Sequence, residues 1–498
     1  MKIKKLIKEI PSITLKGSKE VDVSGICANS KLVAPGNLFI AKRGRTYDGS
    51  QYIAEAIAAG AVAIANDIYD PSLTDIAQLI HPNVAEIESL LVAYYYQNPS
   101  HEVFLVGITG TNGKTTTSFL VKHLLDEING LCGLVGGVEY IVGNNRHPSS
   151  YTTPDICTNQ KMLREMVLQG CRSAVMEVSS HALDQQRVSL LEFDRAIFTN
   201  LNSEHLDYHH TMENYAAAKQ KLFLSIDNHQ KKFNETDTKA AIVNIDDPWC
   251  AEIIKGCKVK IFTFGFNPKA DLYASELKLT SEASHFNLHY RQQTVSCSLK
   301  LIGRHNVYNY MAALAVGLTY GQPLEKCVQI LHNVKPIPGR LEKVPNPLGL
   351  HIYVDFAHKT DALLNVLTCL QELKKRRIIT VFGCGGDRDR TKRKHMAQVS
   401  EKYSDLTIVT SDNPRSEVPE LICQEIAGGF SNQKCYCIEI EREKAIRMAL
   451  EYAEKDDIVL IAGKGHETYQ IFAHKTIEFD DRKVASEICQ SLHRKKQQ

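Results

Sequence analysis

Short runs of Val, Ile, Leu and Ala recur along the chain, each separated from the next by a longer stretch with apolar positions at helical spacing. Residues 103–108, 173–178, 195–200 and 241–245 are such runs, and the stretch 116–128 between the first two repeats like an amphipathic helix. A run that is apolar almost throughout, rather than alternating, suits a strand covered on both faces. The alternation of strands with helices therefore predicts a parallel sheet with helices on both sides. A second set, at 352–355, 378–382, 406–410 and 458–462, follows Pro336-Ile337-Pro338-Gly339 and predicts a further, smaller α/β domain. Before residue 100 the chain mixes short strands with one helix-like stretch, 52–59, closed by Gly60. The polar turn Gln97-Asn98-Pro99-Ser100 marks a boundary. The expected fold class is α/β with three domains: a small N-terminal α/β domain (1–100), a central parallel-sheet domain (101–335) and a C-terminal Rossmann-like domain (336–498).

Composition narrows the function classes. With 498 residues the chain is too long for one hydrophobic core. Its 59 basic and 57 acidic side chains leave a net charge of +2, which gives no general reason to expect nucleic acid as a partner. The first residues, MKIKKLIKEI, lead into no long apolar run, and no stretch is long enough to span a bilayer. Fourteen cysteines without CxxC pairs read as reduced thiols of a cytoplasmic protein, with Cys435 and Cys437 packed in a strand rather than binding zinc.

The strongest local signal is Gly110-Thr111-Asn112-Gly113-Lys114-Thr115-Thr116, between a predicted strand and a predicted helix. Small residues let backbone N–H groups turn inward around phosphate oxygens, and the helix N-terminus favours the anion. Lys114 can neutralise terminal phosphates and the Thr115 hydroxyl suits Mg²⁺, so ATP and magnesium are the expected cofactors. The strict GxxxxGK[ST] pattern needs glycine at 108, where this chain has Ile108. Glu177 closes the run 173–178, at the end of a strand where ligands of open parallel sheets gather and where it can hold the same magnesium as Thr115.

This variant loop resembles that of the Mur ligase family and of its relative folylpolyglutamate synthetase. The resemblance extends over nearly the whole chain and implies further sites. His205, and Lys219 in Asn-Tyr-Ala-Ala-Ala-Lys fourteen residues on, match a histidine that binds a second magnesium and a lysine that is carbamoylated to support it. Chemistry alone reads Lys219 as a surface helix lysine. Ser30, in Ala28-Asn29-Ser30-Lys31, with Arg45, Thr46 and Tyr47, resembles the uridine-diphosphate pocket, although the family has Asp-Ser-Arg where this chain has Asn29-Ser30-Lys31. Thr152, Thr153, Ser179, Gln185 and Arg187 resemble the muramoyl-dipeptide pocket, with Tyr151 in place of the usual Asn. Asn306, Arg340 and Asp355 match ATP-contacting positions; Phe356, Lys359 and Thr360 depart from the usual Asp-Tyr-Ala-His-Thr-Pro.

Within the family, Asp412-Asn413-Pro414-Arg415 matches the members that add meso-diaminopimelate to UDP-N-acetylmuramoyl-L-alanyl-D-glutamate. Arg415 suits the extra carboxylate that lysine lacks. Arg388, Gly463 and Glu467 would complete that pocket. The resemblance thus implies an ATP-dependent amide ligase of cell-wall precursor synthesis, acting as a monomer on small molecules. Three alternatives stay open here: a lysine-adding relative, a folylpolyglutamate synthetase, and a non-enzymatic P-loop switch.

Overall fold

The computed structural model describes residues 1–10, 12–44, 48–226, 239–334 and 336–497. They form two compact units, one made of Met1–Gly110, Val121–Val243 and Asp247–Phe262, the other of Thr111–Leu120, Asn244–Asp246 and Thr263–Gln498. Among the described residues no helix is long and apolar enough to cross a membrane. All fourteen cysteines are free thiols, and Cys437 lies half-buried in the strand Tyr436–Ile438.

The first unit contains two sheets. Near the N-terminus the order is Thr14–Lys16, Ala77–Ile80, Ala63–Asn66, Asn37–Ile40, Gly25–Cys27, parallel except at the first edge. Two longer helices accompany it where one was expected: Ile53–Ala58 and the unanticipated Val84–Tyr95. The second escapes a periodicity reading because Leu90, Val92 and Ala93 flank Leu91 and blur the spacing set by Val84, Ile87 and Leu91. In the structure Val84, Ile87, Leu91 and Val92 join one core with Leu38, Ile40 and Leu79.

The other sheet carries the expected parallel strands in the order Ala240–Asn244, Arg195–Phe198, Phe104–Thr109, Ser173–Glu177, Cys132–Val135. It continues into an antiparallel hairpin, Glu139–Val142 with Asn145–Pro148, so the central block is not purely parallel. Met162, Leu163 and Met166 of helix Ile156–Leu168 and Tyr215, Leu222 and Phe223 of helix Met212–Ser225 fill its core. Asp155 caps the first of these helices by accepting from Thr158 N at 3.0 Å. An Asp155→Ala change should cost about 1 kcal/mol and lower the melting temperature by roughly 2 °C. An unchanged thermal melt would remove this cap from the account.

In the second unit three antiparallel strands, Leu272–Leu279, Ser284–Tyr290 and Gln293–Leu299, precede helices Arg304–Thr319 and Leu324–His332. A six-stranded sheet follows in the order Glu342–Lys343, His351–Asp355, Ile458–Ala462, Ile378–Phe382, Leu406–Val409, Tyr436–Ile438, parallel except at the first edge. Arg442 and Asp481 are fully buried and paired at 2.7 Å. Arg442 also donates to the carbonyls of Ser411 (3.3 Å) and Ala462 (3.0 Å). That one side chain ties together the ends of two strands from which Asp412 and Gly463 emerge.

Candidate active site

At the carboxyl edge of the parallel strands in the first unit, Glu177 lies opposite Ile108 and Phe198 opposite Thr109. This register brings three chain segments level at their ends. Gly110 follows at φ 148°, and a Cβ there would stand 1.9 Å from the Thr199 hydroxyl, so glycine is required for the chain to turn away. The Gly110 carbonyl accepts from the Lys219 ammonium at 3.0 Å. Lys219 is therefore no surface lysine: it is 1% exposed and its ammonium lies 4.5 Å from the Tyr215 ring centroid. Glu177, equally buried, accepts from Gly137 N at 3.0 Å.

His205 sits at φ 58°, which turns the chain into the short helix Leu206–His209. Its ring packs edge-on against His181 and Tyr215. His209 bonds to the Ser180 hydroxyl at 3.0 Å, and burial holds its pKa below the ordinary histidine value.

Four of the five expected dipeptide residues form one hydrogen-bonded group. The Thr153 hydroxyl donates to the Glu177 carbonyl at 2.8 Å and accepts from Ser179 N at 3.0 Å. Arg187 donates to the Thr153 carbonyl at 2.9 Å and, through Nη2, to Gln185 Oε1 at 2.7 Å. Thr152 adjoins Gly137, where a Cβ would meet its hydroxyl at 3.2 Å. Ser30 donates to Glu55 at 3.1 Å within the N-terminal segment. The other uridine-pocket residues, Arg45, Thr46 and Tyr47, lie outside the described residues.

The phosphate loop continues in the second unit. Helix Lys114–Asn129 starts at Lys114, two residues earlier than the sequence predicts, and Lys114 donates to the Thr111 carbonyl at 2.9 Å. Thr111, Thr115 and Thr116 are buried around this turn. Gly113 has φ 84° and presses against Asn309, whose amide oxygen would stand 2.3 Å from an added Cβ. Asn309 accepts from the Thr117 hydroxyl at 3.3 Å and donates to Asn306 at 3.2 Å, linking the expected Asn306 to the loop through a residue the sequence reading missed. Its spacing of three from Asn306 on one helix was the available signal.

Arg340 reaches the same loop, donating to the Thr115 hydroxyl at 3.1 Å, while its guanidinium lies 5.2 Å from the Phe356 ring centroid. Its Nε is buried with no hydrogen-bond partner among the described residues. Gly339 before it, at φ 63°, packs so closely that a Cβ would stand 2.1 Å from His466 N. Asp355 accepts from Leu341 N at 2.6 Å, and burial raises its pKa to about 6 against the lowering effect of Arg340.

The expected acceptor residues also gather in this unit. Asn413 donates to Glu467 at 2.8 Å, and Lys464 donates to both Asn413 (3.2 Å) and Glu467 (3.1 Å). Burial raises the Glu467 pKa, with Lys464 opposing it. Lys464, 0% exposed, is another residue the sequence reading missed. Asp412 has one carboxylate oxygen on Asn413 N and the other buried with no partner among the described residues, and Gly463 at φ 115° leaves room beside it. Pro414 is buried where Gly386 crosses it. Arg415 Nη1 donates to the Gly386 carbonyl at 2.9 Å. Arg388 is exposed, and its side chain turns back to the Asp387 carbonyl at 3.1 Å rather than joining the Asn413–Glu467 group. Unpartnered buried polar atoms beside a glycine-lined space fit a ligand with both charges.

Among the described residues no three His, Cys, Asp or Glu side chains cluster as a metal site. Hard oxygen ligands are what magnesium takes. The Thr115 hydroxyl and Glu177 carboxylate are of that kind, whereas Lys219 becomes one only as a carbamate.

Comparison with known proteins gives matches to three family descriptions: Mur ligase family, catalytic domain, over residues 22–96; Mur ligase middle domain over 108–317; and Mur ligase, glutamate ligase domain, over 339–465. The UDP-N-acetylmuramoyl-L-alanyl-D-glutamate–2,6-diaminopimelate ligase of Chlamydia pneumoniae is 43% identical across 99% of this chain and 100% of its own. A solved structure of an enzyme with that name is 30% identical over 99% of both chains, with a TM-score of 0.68. The MurF ligase of Thermotoga maritima in complex with ADP shares the fold at 17% identity, TM-score 0.64, over 95% of this chain and 98% of that one.

Proposed function

Because the chain belongs to the Mur ligase family, we propose that it joins meso-diaminopimelate to UDP-N-acetylmuramoyl-L-alanyl-D-glutamate at the expense of ATP, in peptidoglycan precursor synthesis. The observation that carries the acceptor is the loop Asp412–Arg415, with Arg415 anchored on Gly386 beside the Asn413–Glu467–Lys464 group. In this reading Glu467 and Asp412 receive the acceptor's ammonium, and Arg415 grips its distal carboxylate.

The free carboxylate of the D-glutamyl residue attacks the γ-phosphorus of ATP, giving an acyl phosphate and ADP. The diaminopimelate amine then adds to the acyl carbon, and phosphate leaves from the tetrahedral intermediate to give the amide. No side-chain nucleophile is needed. Lys114 and Arg340 counter the charge on the transferring phosphoryl group, and Asn306 with Asn309 supports the loop on which Lys114 stands. Thr153, Ser179, Gln185 and Arg187 hold the dipeptide so that its carboxylate is placed for attack. Ser30, with Arg45 to Tyr47, binds the uridine nucleotide.

Thr115, Glu177, His205 and carbamoylated Lys219 would hold magnesium, which when bound neutralises phosphate charge. Segments 1–100, 101–335 and 336–498 take the nucleotide sugar, ATP and the amino acid respectively, in a cytoplasmic monomer.

The test is ADP release with the UDP-muramoyl dipeptide and either meso-diaminopimelate or L-lysine, with product mass read alongside. Tripeptide formation with diaminopimelate alone is expected. A preference for lysine would keep the family and sink the reading of Arg415. No turnover with either, even with added bicarbonate, would sink the reaction itself.

A further inference from the structure

In the second unit the acceptor loop 412–417 is cross-tied to the turn 385–387. Gly386 N donates to the Asn413 carbonyl at 2.9 Å, and Arg415 Nη1 donates back to the Gly386 carbonyl at 2.9 Å. A Cβ on Gly386 would stand 1.9 Å from the Pro414 carbonyl oxygen, and one on Gly385 would stand 2.8 Å from Arg415 Nη1. The two segments therefore meet with no side chain between them. Asp387 accepts from Ser416 twice, at 2.6 Å from the hydroxyl and 3.2 Å from the main-chain N. Its own N donates to Glu417 at 2.7 Å.

Both segments need this support. Asp387 (φ 55°) and Arg415 (φ 53°) are non-glycine residues in the left-handed region. Aspartate visits that region readily, whereas arginine holds it only where its surroundings fix it. The support is rooted in the interior. Arg393, 0% exposed, donates to the two Glu417 oxygens at 3.0 and 3.1 Å and to Glu425 at 2.7 Å. Those bonds join the tie to helices Lys392–Tyr403 and Pro419–Ala427. Glu417 thus faces a buried guanidinium on one side and the Asp387 main chain on the other. The series Arg393, Glu417, Asp387, Ser416 ends beside Arg415, and it fixes where the Gly386 carbonyl, the anchor of Nη1, stands.

We propose that Asp387 is a positioning residue for acceptor choice: its bonds to Ser416 and Glu417 hold Arg415 so that the free edge of the fork meets the acceptor's distal carboxylate. This rests on the diaminopimelate-ligase reading. Asp387 touches no substrate in this scheme and acts through Arg415. It therefore matters for an acceptor that carries the second carboxylate and not for one that lacks it.

The test measures kcat and KM of the intact protein for meso-diaminopimelate and for L-lysine, together with the KM for ATP and the melting temperature. Asp387→Gly keeps the left-handed backbone and removes both side-chain bonds to Ser416. It should raise the KM for diaminopimelate about tenfold, the scale of a hydrogen bond to a charged group. The kcat, the kcat/KM for lysine and the KM for ATP should each change less than about threefold. Asp387→Asn, which keeps an acceptor oxygen for the Ser416 hydroxyl and suits the same backbone, should recover most of the loss. In the Arg415→Met protein, adding Asp387→Gly should alter the ratio of kcat/KM for the two acceptors by less than about twofold, because the residue through which it acts is gone.

An equal fall for both acceptors would overturn the proposal, as would a tenfold loss that persists in the Arg415→Met background. Either is what a merely structural turn residue gives, whatever the melting temperature does. A diaminopimelate KM in Asp387→Gly within about threefold of the unaltered protein's would overturn it too. If Asp387→Gly does not fold, Ser416→Ala, which removes the shorter bond from an exposed position, is read by the same comparisons. Failure of Arg415→Met alone to reduce the preference for diaminopimelate would overturn the acceptor reading, and this proposal with it. That outcome is seen in a single variant that leaves Asp387 in place.

Discussion

Replacing Lys219 by glutamine is expected to lower turnover by roughly 10²–10³-fold, the scale seen when one fixed electrostatic group is lost from a transition-state site. Two roles for this side chain must be told apart. As an ammonium it donates to the Gly110 carbonyl, and a structural role would consist of that bond at 3.0 Å. As a carbamate, formed when its neutral amine adds to carbon dioxide with loss of a proton, it would be an oxygen ligand for magnesium. A glutamine amide can still donate to the Gly110 carbonyl, yet it cannot form a carbamate. Steady-state ADP release should therefore collapse in Lys219→Gln and stay low with added bicarbonate. The unaltered protein should gain activity from bicarbonate after preparation without it. Carbon-13 NMR with labelled bicarbonate should give a carbamate resonance that the variant lacks. Glutamine activity within about tenfold of the unaltered protein would leave only the structural role.

The parts of the fold that were readable in the sequence are those in which one force decides. Strands 378–382 and 458–462 were bounded correctly because burial on both faces demands an unbroken apolar run. The strands Leu272–Leu279, Ser284–Tyr290 and Gln293–Leu299 were missed because exposure on one face mixes Ser, Asn, His and Gln among their apolar positions. The phosphate loop was legible despite Ile108, since glycine, lysine and threonine at a strand-to-helix turn serve few other purposes. In the structure Ile108 is a fully buried core residue of the strand itself. Supporting residues were not legible. Asn309 and Lys464 have near neighbours in Asn306 and Glu467, three residues away, but they matter through bonds to Thr117 and Asn413, which join positions far apart in the chain. Lys219 shows the same limit from the other side. Its helical spacing fits a surface lysine, and only the packing of its helix against the parallel sheet buries it.

Changing Arg415 to methionine is expected to cut kcat/KM for meso-diaminopimelate by about 10²–10³-fold and to alter the low value for L-lysine by less than about threefold. The geometry explains why the effect should fall on one acceptor. Arg415 has φ 53°, and its backbone N donates to the Ile471 carbonyl at 3.0 Å, so the residue is held by its main chain as well as its side chain. Among the described residues, both hydrogen bonds of its guanidinium, to the carbonyls of Gly386 and Asn413, leave from Nη1. The remaining edge of the fork can therefore meet a carboxylate with two parallel bonds, which a lysine acceptor cannot use. Methionine tolerates the left-handed backbone better than a β-branched residue would, and it keeps the length of the stem. Arg415→Lys is the informative companion, because it keeps the charge while losing the planar fork. Intermediate discrimination there, with near-complete loss in Arg415→Met, would assign specificity to both charge and geometry. An equal fall for both acceptors would instead mean that Arg415 only braces the loop on Gly386, and that the choice of amino acid is made elsewhere.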